Sequence, residues 1–447
     1  MPSTGWIQMM LEPRPKTINV GQLENDVIRI GIVLAADQQS EIQVSLKGQG
    51  YRIGDETLLA LDNDYQIEVS DGQVILLSGS TIVEVGEKIV IEPTKSNPPT
   101  VGQGVELNSV IAGRGFHWQK PITAIYPGAM EFSVVDNSLV CVNSLSFEDY
   151  VVCVAVAEMS PTAPVEFIKA QTIVARSWSR CFLGDKHSNE NFDLCNDDEC
   201  QRYQGVTFAS ESAISAADET CGEYLIFDHE IVAAYYSKCC GGISADPKGT
   251  FGFSVLGVKS VLDGTPAIDA GDIETWVSIK ESDAKQIHCS GLQLADATVT
   301  GLIGEVDKQG DYFRWLCEVP KNTVANNLKI KSGISDVAKV ISIRPGYRGP
   351  SGRLHEVEVI YLSKNNKEKS HHVKNQYDIR SLLHENFLYS SAITIEDKDD
   401  YFEFHGAGWG HGVGLCQLGA VFQALKGVSY QKILECYFPD ARLVKAY

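Results

Sequence analysis

The sequence predicts an α+β fold, and two patterns carry that prediction. Between residues 26 and 113, short runs such as EIQVSLK and KIVIEP alternate apolar and polar residues between Gly, Asp and Asn turns. This alternation is typical of strands. The segment 145–182, LSFEDYVVCVAVAEMSPTAPVEFIKAQTIVARSWSRCF, instead repeats apolar residues every three or four positions, which indicates two helices.

Changes of pattern divide the chain into five predicted segments. An N-terminal extension, 1–25, precedes a β-rich domain, 26–113, and a central core built on the helix pair, 114–253. A middle region, 254–404, mixes strands with polar helical segments. The last segment, 405–447, begins with a glycine-rich loop and a helix, and it is predicted to return to the core.

Composition excludes some classes of partner. Lys and Arg number 38 against 58 Asp and Glu, so the net charge of −20 opposes long-range attraction to nucleic acid or to an anionic membrane. No run of about 18 apolar residues occurs, so no membrane span is predicted. The N-terminus shows no charged region followed by an apolar run, which predicts no ordinary export signal and a cytoplasmic protein if the start is correct. The 12 cysteines are scattered, which favours buried reduced thiols over a disulfide framework.

One carboxylate stands at the junction of the two predicted helices. Ser146 is the predicted N-cap of the first helix, whose apolar stripe runs through Phe147, Val151 and Val154. The next position on that face is Glu158. Poor solvation there would disfavour the charged form of the carboxyl, as a general acid requires. The alternative is a Glu at a helix end that pairs with a Lys or Arg.

The second helix presents two different faces. Pro161 and Pro164 are predicted to end the first helix and to start the second. One face of the second helix is apolar, and the other carries polar and basic residues three or four positions apart: Lys169, Thr172, Arg176 and Arg180. This second face is either solvated or lines an anionic or polar groove beside Glu158.

A polar loop after the helix pair holds candidate metal ligands. His187, Cys195 and Cys200 lie among Asn and Asp residues, and Glu199 precedes the second cysteine. Two thiols and an imidazole are suitable ligands for tetrahedral zinc. The spacing differs from that of a standard zinc finger, so a disulfide and two free cysteines remain alternatives.

The C-terminal stretch HGAGWGHGVGLCQLGAVFQALKG, from His405, is dense in glycine. It is not a phosphate-binding P-loop, because no Gly-Lys-Ser/Thr follows. Trp409 and His411 are either parts of a wall that stacks and hydrogen-bonds sugars or parts of a packing turn between a strand and a helix.

Four blocks of the sequence, in this order, resemble the SpoIID/LytB family of bacterial cell-wall proteins, which includes stage II sporulation protein D and amidase enhancers. They are the helix pair with its E-M and K-A-Q-x-x-x-A-R elements, DLCNDDECQRYQG, AADETCGEYLIF with YYSKCCGG, and HGAGWGHGVGLCQLGA. The flanking parts also fit, so the resemblance covers nearly the whole chain.

The resemblance implies cleavage of peptidoglycan between N-acetylmuramic acid and N-acetylglucosamine by lytic transglycosylation, with Glu158 as acid and then base. It also implies a structural zinc site at His187, Cys195 and Cys200. Glu199 or water would complete this site, because a second histidine of zinc-binding relatives is replaced by Glu199.

Substrate-binding residues are predicted in the helix pair and in the glycine-rich stretch. The residues predicted to bind substrate are Lys169, Gln171, Arg176, Trp409 and His411. The expected location is the cell envelope, and a cell-wall amidase is the expected partner. Two other functions stay open: a non-catalytic wall-binding enhancer of an N-acetylmuramoyl-L-alanine amidase, and a zinc hydrolase.

Overall fold

The strands and helices lie in two compact units. A computed structural model describes residues 14–19, 21, 23–54, 57–61, 63–96, 98–115, 119–158, 160–265, 269, 271–279, 281–291, 302 and 312–447. The first unit comprises Lys16–Tyr224 and Val444–Tyr447, and the second comprises Leu225–Leu443. The α+β class is confirmed. The predicted boundaries at 113, 253 and 404 do not coincide with this division, and most of the predicted N-terminal extension lies outside the described residues.

The first unit begins with the predicted strand-rich region. Its strands are β1 (Val27–Val33), β2 (Glu41–Lys47), β3 (Tyr51–Ile53), β4 (Thr57–Leu59), β5 (Asp64–Ser70), β6 (Gln73–Ser78), β7 (Thr81–Gly86), β8 (Lys88–Pro93), β9 (Gly104–Ala112), β10 (Lys120–Tyr126), β11 (Ala129–Val135), β12 (Ser138–Ser146) and β13 (Leu194–Cys195). A 3-10 turn, Ala35–Asp37, follows β1.

The strands of the first unit form two sheets among the described residues. One has the order β13-β1-β12-β11-β8-β3-β4 and the other β10-β9-β2-β5-β6-β7. Strand β2 buries Ile42, Val44 and Leu46 on one face, as its alternating sequence predicts. The short β13 lies parallel to β1, with Cys195 opposite Gly31, so the loop that carries the candidate ligands is attached to the edge of a sheet.

Three helices of the first unit follow β12. They are α1 (Phe147–Glu158), α2 (Val165–Phe182) and α3 (Glu211–Asp218). The backbone N–H of Asp149 donates to Ser146 Oγ (3.2 Å), and Pro164 precedes the first residue of α2, so the predicted cap and the proline-bearing turn are confirmed. Helix α1 is buried on nearly all sides, whereas the sequence predicted a single buried stripe.

The second unit carries the rest of the elements. Its helices are α4 (Pro247–Phe251), α5 (Ile273–Val277), α6 (Glu281–Ala284), α7 (Lys321–Ile330), α8 (Gln376–Leu382), α9 (Gln417–Leu425) and α10 (Tyr430–Tyr437), with a 3-10 turn at His288–Ser290. Its strands are β15 (Glu230–Ile231), β16 (Tyr236–Ser237), β17 (Arg314–Pro320), β18 (Val337–Pro345), β19 (Glu356–Ser363), β20 (Glu368–Lys374), β21 (Ile393–Asp397), β22 (Tyr401–Ala407) and β23 (Leu415–Cys416). The chain passes between the units within β14 (Glu223–Phe227) and β24 (Arg442–Lys445).

Small antiparallel sheets surround the main apolar core of the second unit. Strands β17-β22-β21 form one and β18-β19-β20 another. Helix α7 places Val324 and Leu328 against Phe402 and Phe404 of β22 in a cluster of buried side chains. The parallel pair β16 and β23 joins the Cys-Cys-Gly-Gly segment to the glycine-rich segment. Within the described residues, every helix is too short or too polar to span a membrane.

Candidate functional site

Glu158 is the last residue of α1 and lies partly exposed at the junction of the two helices. Its Oε1 accepts a hydrogen bond from the backbone N–H of Arg202 (3.0 Å). A backbone donor stabilises the ionised form of a carboxyl and fixes its orientation. The loop that follows α2 therefore positions this carboxyl group.

The segment that holds Glu158 is itself anchored in the interior. The side chain of Gln201 is buried, and its Oε1 accepts hydrogen bonds from the hydroxyls of Tyr150 on α1 (3.0 Å) and Ser179 on α2 (2.7 Å). The hydroxyl of Tyr203 donates to Asn143 of β12. Residues 201–203 are thus tied to both helices and to the sheet, which restricts the backbone N–H that Glu158 meets.

Three buried ligand groups meet in the same loop. One ligand atom from each of His187, Cys195 and Cys200 lies within 4.8 Å of the others. His187 Nε2 is 3.4 Å from Cys200 Sγ, and the backbone N–H of Cys195 donates to Cys200 Sγ (3.4 Å). Both cysteines are free thiols, so the predicted alternative of a disulfide between them is not formed.

The surroundings of this group are suited to a cation. His187 Nδ1 contacts the carboxylate of Glu190, an arrangement that orients metal-binding histidines in many proteins. Burial alone would lower the pKa of His187, but hydrogen bonds to Cys195 and Glu190 outweigh it and raise the pKa to about 9. The two thiols share one contact: the hydrogen bond with Cys200 and burial raise the pKa of Cys195, whereas this contact and the charge of Lys186 outweigh burial and lower the pKa of Cys200. The donor set of two thiols and one oriented imidazole fits zinc.

Glu199 does not belong to this group of donor atoms. Its backbone carbonyl accepts a hydrogen bond from the Lys186 ammonium group, and its side chain is partly exposed. Among the described residues, the donor atoms within 4.8 Å of one another are those of the imidazole and the two thiols. A fourth ligand from Glu199 or water stays a prediction.

Arg176 lies in the interior of the first unit, and its predicted contact with substrate stays a prediction. Its side chain is fully buried, and it donates to Glu148 from Nε (2.9 Å) and from Nη2 (2.7 Å). The hydroxyl of Tyr447 also donates to Glu148 (2.6 Å). Burial alone would raise the pKa of Glu148, but the charge and hydrogen bonds of Arg176 lower it. The pair thus joins α2 to α1 inside the unit.

The rest of the predicted basic face is also interior. Thr172 is fully buried, and Arg180 is nearly so, paired with Asp26 (3.1 Å). Gln171, which was predicted to bind substrate but is not part of this face, is fully buried as well. Lys169 keeps some exposure but lies 2.6 Å from the carboxylate of Glu219. Most of this face is therefore enclosed within the unit, and a contact of Lys169 or Gln171 with substrate stays a prediction. Helix α2 is surrounded because α1, α3 and the chain termini of the unit pack against it, and the sequence of α2 alone does not reveal these neighbours.

Trp409 and His411 lie in the second unit, in the segment between β22 and β23. The Trp409 ring stacks on Tyr389 (4.3 Å between ring centroids, planes at 16°), and its edge meets Tyr312. His411 accepts a hydrogen bond from the Val413 N–H at Nδ1 (3.0 Å), and burial with nearby arginine charges lowers its pKa to about 3. Both rings are partly exposed.

Glycines in this segment permit close backbone crossings. A side chain at Gly414 (φ 74°) would begin 2.0 Å from the carbonyl oxygen of Tyr235. The segment thus forms a packing turn between a strand and helix α9. A role of Trp409 or His411 in sugar binding stays a prediction.

Three residues of the site were not predicted from the sequence. Arg202 acts through its backbone N–H, which no side-chain pattern reveals. Glu190 follows His187 by three residues and was a detectable neighbour of the ligand loop. The partner of Glu148 is on the next helix, so no pattern within α1 indicates the pair.

Comparison with known proteins places the site in a recognised segment. Residues 135–227 match a family model described as stage II sporulation protein, SpoIID. This range includes Glu158 and the loop with His187, Cys195 and Cys200. Residues 276–414 match a domain of unknown function, DUF8618.

Two relatives extend the similarity beyond these segments. An uncharacterized protein of Brachyspira hyodysenteriae (strain ATCC 49526 / WA1) is 26% identical over 320 residues, which cover 71% of this chain and 72% of the relative. The amidase enhancer of Bacillus subtilis (strain 168) is 24% identical over 313 residues, which cover 64% of this chain and 39% of the relative. The chain thus spans well under half the length of that enhancer.

Proposed function

We propose that this chain, which belongs to the SpoIID/LytB family and has a role related to the bacterial cell wall, cleaves peptidoglycan glycan strands by lytic transglycosylation. The bond is the one between N-acetylmuramic acid and N-acetylglucosamine. One observation carries the proposal: within the SpoIID segment, the carboxyl of Glu158 is partly exposed and is held by the Arg202 N–H (3.0 Å). The site of action would be the cell envelope.

Glu158 serves twice in the proposed reaction. Its protonated carboxyl donates a proton to the glycosidic oxygen as the bond from that oxygen to C1 of the muramoyl residue breaks. The C6 hydroxyl of the same residue attacks the positively charged C1, and its proton passes to the carboxylate. A 1,6-anhydro end forms, Glu158 is protonated again, and no water is consumed.

The Arg202 N–H supports the ionised half of this cycle. Between the two proton transfers, Glu158 carries a negative charge, and a preorganised backbone donor lowers the free energy of that state. The buried contacts of Gln201 and Tyr203 hold the donor in place, so little reorganisation is needed when the charge appears. Residues 201–203 thus act as positioning residues.

Zinc bound by His187, Cys195 and Cys200 would be structural. The metal would cross-link the loop that begins after α2 and so would steady the Arg202 N–H two residues beyond Cys200. Glu199 or water would supply the fourth ligand. The reaction itself uses the carboxyl of Glu158 and the hydroxyl of the sugar.

Glu158→Gln tests the proposed role directly. Purified full-length protein is incubated with peptide-stripped glycan strands, and 1,6-anhydro ends are measured by mass spectrometry. The substitution should lower the initial rate by at least about 10²-fold, because glutamine neither donates nor accepts the required proton. Glu166→Gln is the matched control, since it removes an acid from the first turn of α2 and should leave the rate unchanged.

Three results would contradict the proposal. One is a wild-type protein that is inert on glycan with and without added zinc. Another is a Glu158→Gln variant that keeps its rate. The third is release of reducing, non-anhydro ends that stops on metal removal while the fold persists, which would favour a zinc hydrolase.

The amidase enhancer among the relatives favours a second candidate function. In this alternative the chain binds glycan strands and stimulates an N-acetylmuramoyl-L-alanine amidase without cleaving them itself. Adding the protein to an amidase assay distinguishes the two candidates. An enhancer raises release of peptides equally with wild type and with Glu158→Gln, whereas stimulation by a transglycosylase is lost with the variant.

A further inference from the structure

Three thiols and one carboxylate meet in the interior of the second unit. Ligand atoms of Cys240, Asp263, Cys289 and Cys416 all lie within 4.8 Å of one another, and each residue is at most 1% exposed. The four residues come from distant parts of the sequence: the segment after β16, a loop before α5, the 3-10 turn at His288–Ser290, and the end of β23.

The spacing of the sulfur atoms suits a single tetrahedral ion. The Sγ atoms of Cys240 and Cys289 are 3.8 Å apart. Bonds of about 2.3 Å to one tetrahedral zinc place two sulfurs about 3.8 Å apart. A disulfide requires about 2.05 Å, and the three cysteines are free thiols.

Backbone donors point at the sulfur atoms. The N–H of Cys240 donates to Cys416 Sγ (3.1 Å), and the N–H of Gly242 donates to Cys240 Sγ (3.4 Å). Such donors stabilise thiolates and orient them toward a metal. Gly241 makes the turn possible: its φ is 73°, and a side chain there would begin 2.7 Å from the Gly408 nitrogen.

The carboxylate of Asp263 is held by two hydrogen bonds and can still accept further bonds. Its Oδ1 accepts from the hydroxyl of Tyr437 (2.6 Å), and its Oδ2 accepts from the Cys289 N–H (2.8 Å). Each carboxylate oxygen can accept a further bond, so one of them can bind a metal while both hydrogen bonds persist.

A buried cation balances the charge of the group. The side chain of Arg353 is fully buried and donates to the carbonyl oxygens of Cys240 (2.7 Å) and Ile243 (2.8 Å). Three thiolates and a carboxylate around a divalent ion carry a net charge of about −2, which this guanidinium partly neutralises. Without a metal, several adjacent buried acids would have to remain protonated or repel one another.

We propose that Cys240, Cys289, Cys416 and Asp263 form a second, structural zinc site, separate from the loop site of the first unit. Three sulfurs and one oxygen complete a tetrahedral shell, and burial leaves no position for substrate, which are properties of structural rather than catalytic zinc. The metal fastens β16, β23 and the Cys289 turn to one another.

Metal content tests the site in the full-length protein. The double variant Cys195→Ser/Cys200→Ser, prepared under reducing conditions, removes the loop ligands and should retain about one zinc ion per chain. Adding Cys289→Ser to that background should lower zinc to the level of a metal-free control, whereas adding Cys153→Ser, another buried cysteine, should not. Replacing zinc by cobalt in the double variant should give the intense visible bands of a tetrahedral thiolate site.

Two results would overturn the proposal, and neither depends on a folded Cys289→Ser variant. One is a double variant that is free of zinc and does not bind added cobalt while its near-ultraviolet circular dichroism shows a folded protein. The other is a mass spectrum of unreduced wild type in which Cys240 is linked to Cys289 or Cys416. If the wild-type protein proves inactive on glycan, the proposed zinc site is unaffected, because the two proposals rest on different residues.

Discussion

Two thiol-bearing groups among the described residues are assembled in opposite ways. His187, Cys195 and Cys200 belong to one polar loop, whereas the group in the second unit joins residues from Cys240 to Cys416. The loop group lies within a short segment that already makes turns. A metal bound there would therefore restrict only a few additional residues of the chain. The other group closes long loops, and a cross-link across long loops restricts the unfolded chain more strongly. The two sites should therefore differ in what they contribute to stability.

The largest expected effect is on the second unit. Cys289→Ser should lower the stability of that unit by more than about 5 kcal/mol, because structural zinc couples its binding free energy to folding. Hydrogen exchange measured peptide by peptide would report both units in one experiment. Cys200→Ser is the comparison, and we expect it to raise exchange mainly within residues 187–203. If the two substitutions raise hydrogen exchange to the same extent, the two groups do not differ in what they contribute to stability.

Arg176→Met tests whether a polar contact between distant residues of the first unit contributes as much to the free energy of unfolding as the thiol group of the second unit. It leaves the carboxylate of Glu148 buried without its cation, which should cost about 3–5 kcal/mol of unfolding free energy. Urea denaturation of the variant would measure this. Combining it with Glu148→Leu should recover part of the loss. A cost below about 1 kcal/mol would contradict a buried ion pair, because so small a value is typical of solvent-exposed pairs.

The pH dependence of stability gives a smaller effect with a definite sign. The pKa of Glu148 is lowered in the folded state, so its contribution is present above its ordinary value of 4.5 and is lost as the pH falls through the lowered pKa. Relative to Glu148→Gln, the wild type should be more stable by about 2 kcal/mol at neutral pH. Denaturation curves at several pH values should show this difference shrink on acidification, and a difference independent of pH would contradict the ion pair.

The smallest effect is expected at Lys169. Its ammonium pairs with the half-exposed carboxylate of Glu219, so Lys169→Met should change stability by less than about 1 kcal/mol. Steady-state kinetics on glycan strands would separate this from a role in binding. A several-fold rise in KM with unchanged stability would support the predicted contact with sugar, while unchanged kinetics would assign Lys169 to the ion pair alone.

The sequence was informative wherever neighbours in space are also neighbours in the chain. It predicted the strand alternation of β2, the Ser146 cap and the turn with Pro164. It also indicated a resemblance to the SpoIID/LytB family, whose model matches residues 135–227, because that resemblance consists of short ordered blocks. The three candidate ligands of the loop were recognisable for the same reason.

Tertiary structure decided everything that depends on distant partners. The sequence of α2 leaves open whether its polar face is solvated. The structure shows that Arg176 donates to Glu148, which also accepts from Tyr447, so this part of the face is interior. No rule of sequence spacing predicts that Cys240 and Cys416 meet. No side-chain pattern predicts that the Arg202 N–H holds Glu158. Periodicity and local spacing report how a residue relates to its own element, whereas burial and metal geometry are set by elements that meet only when the chain folds.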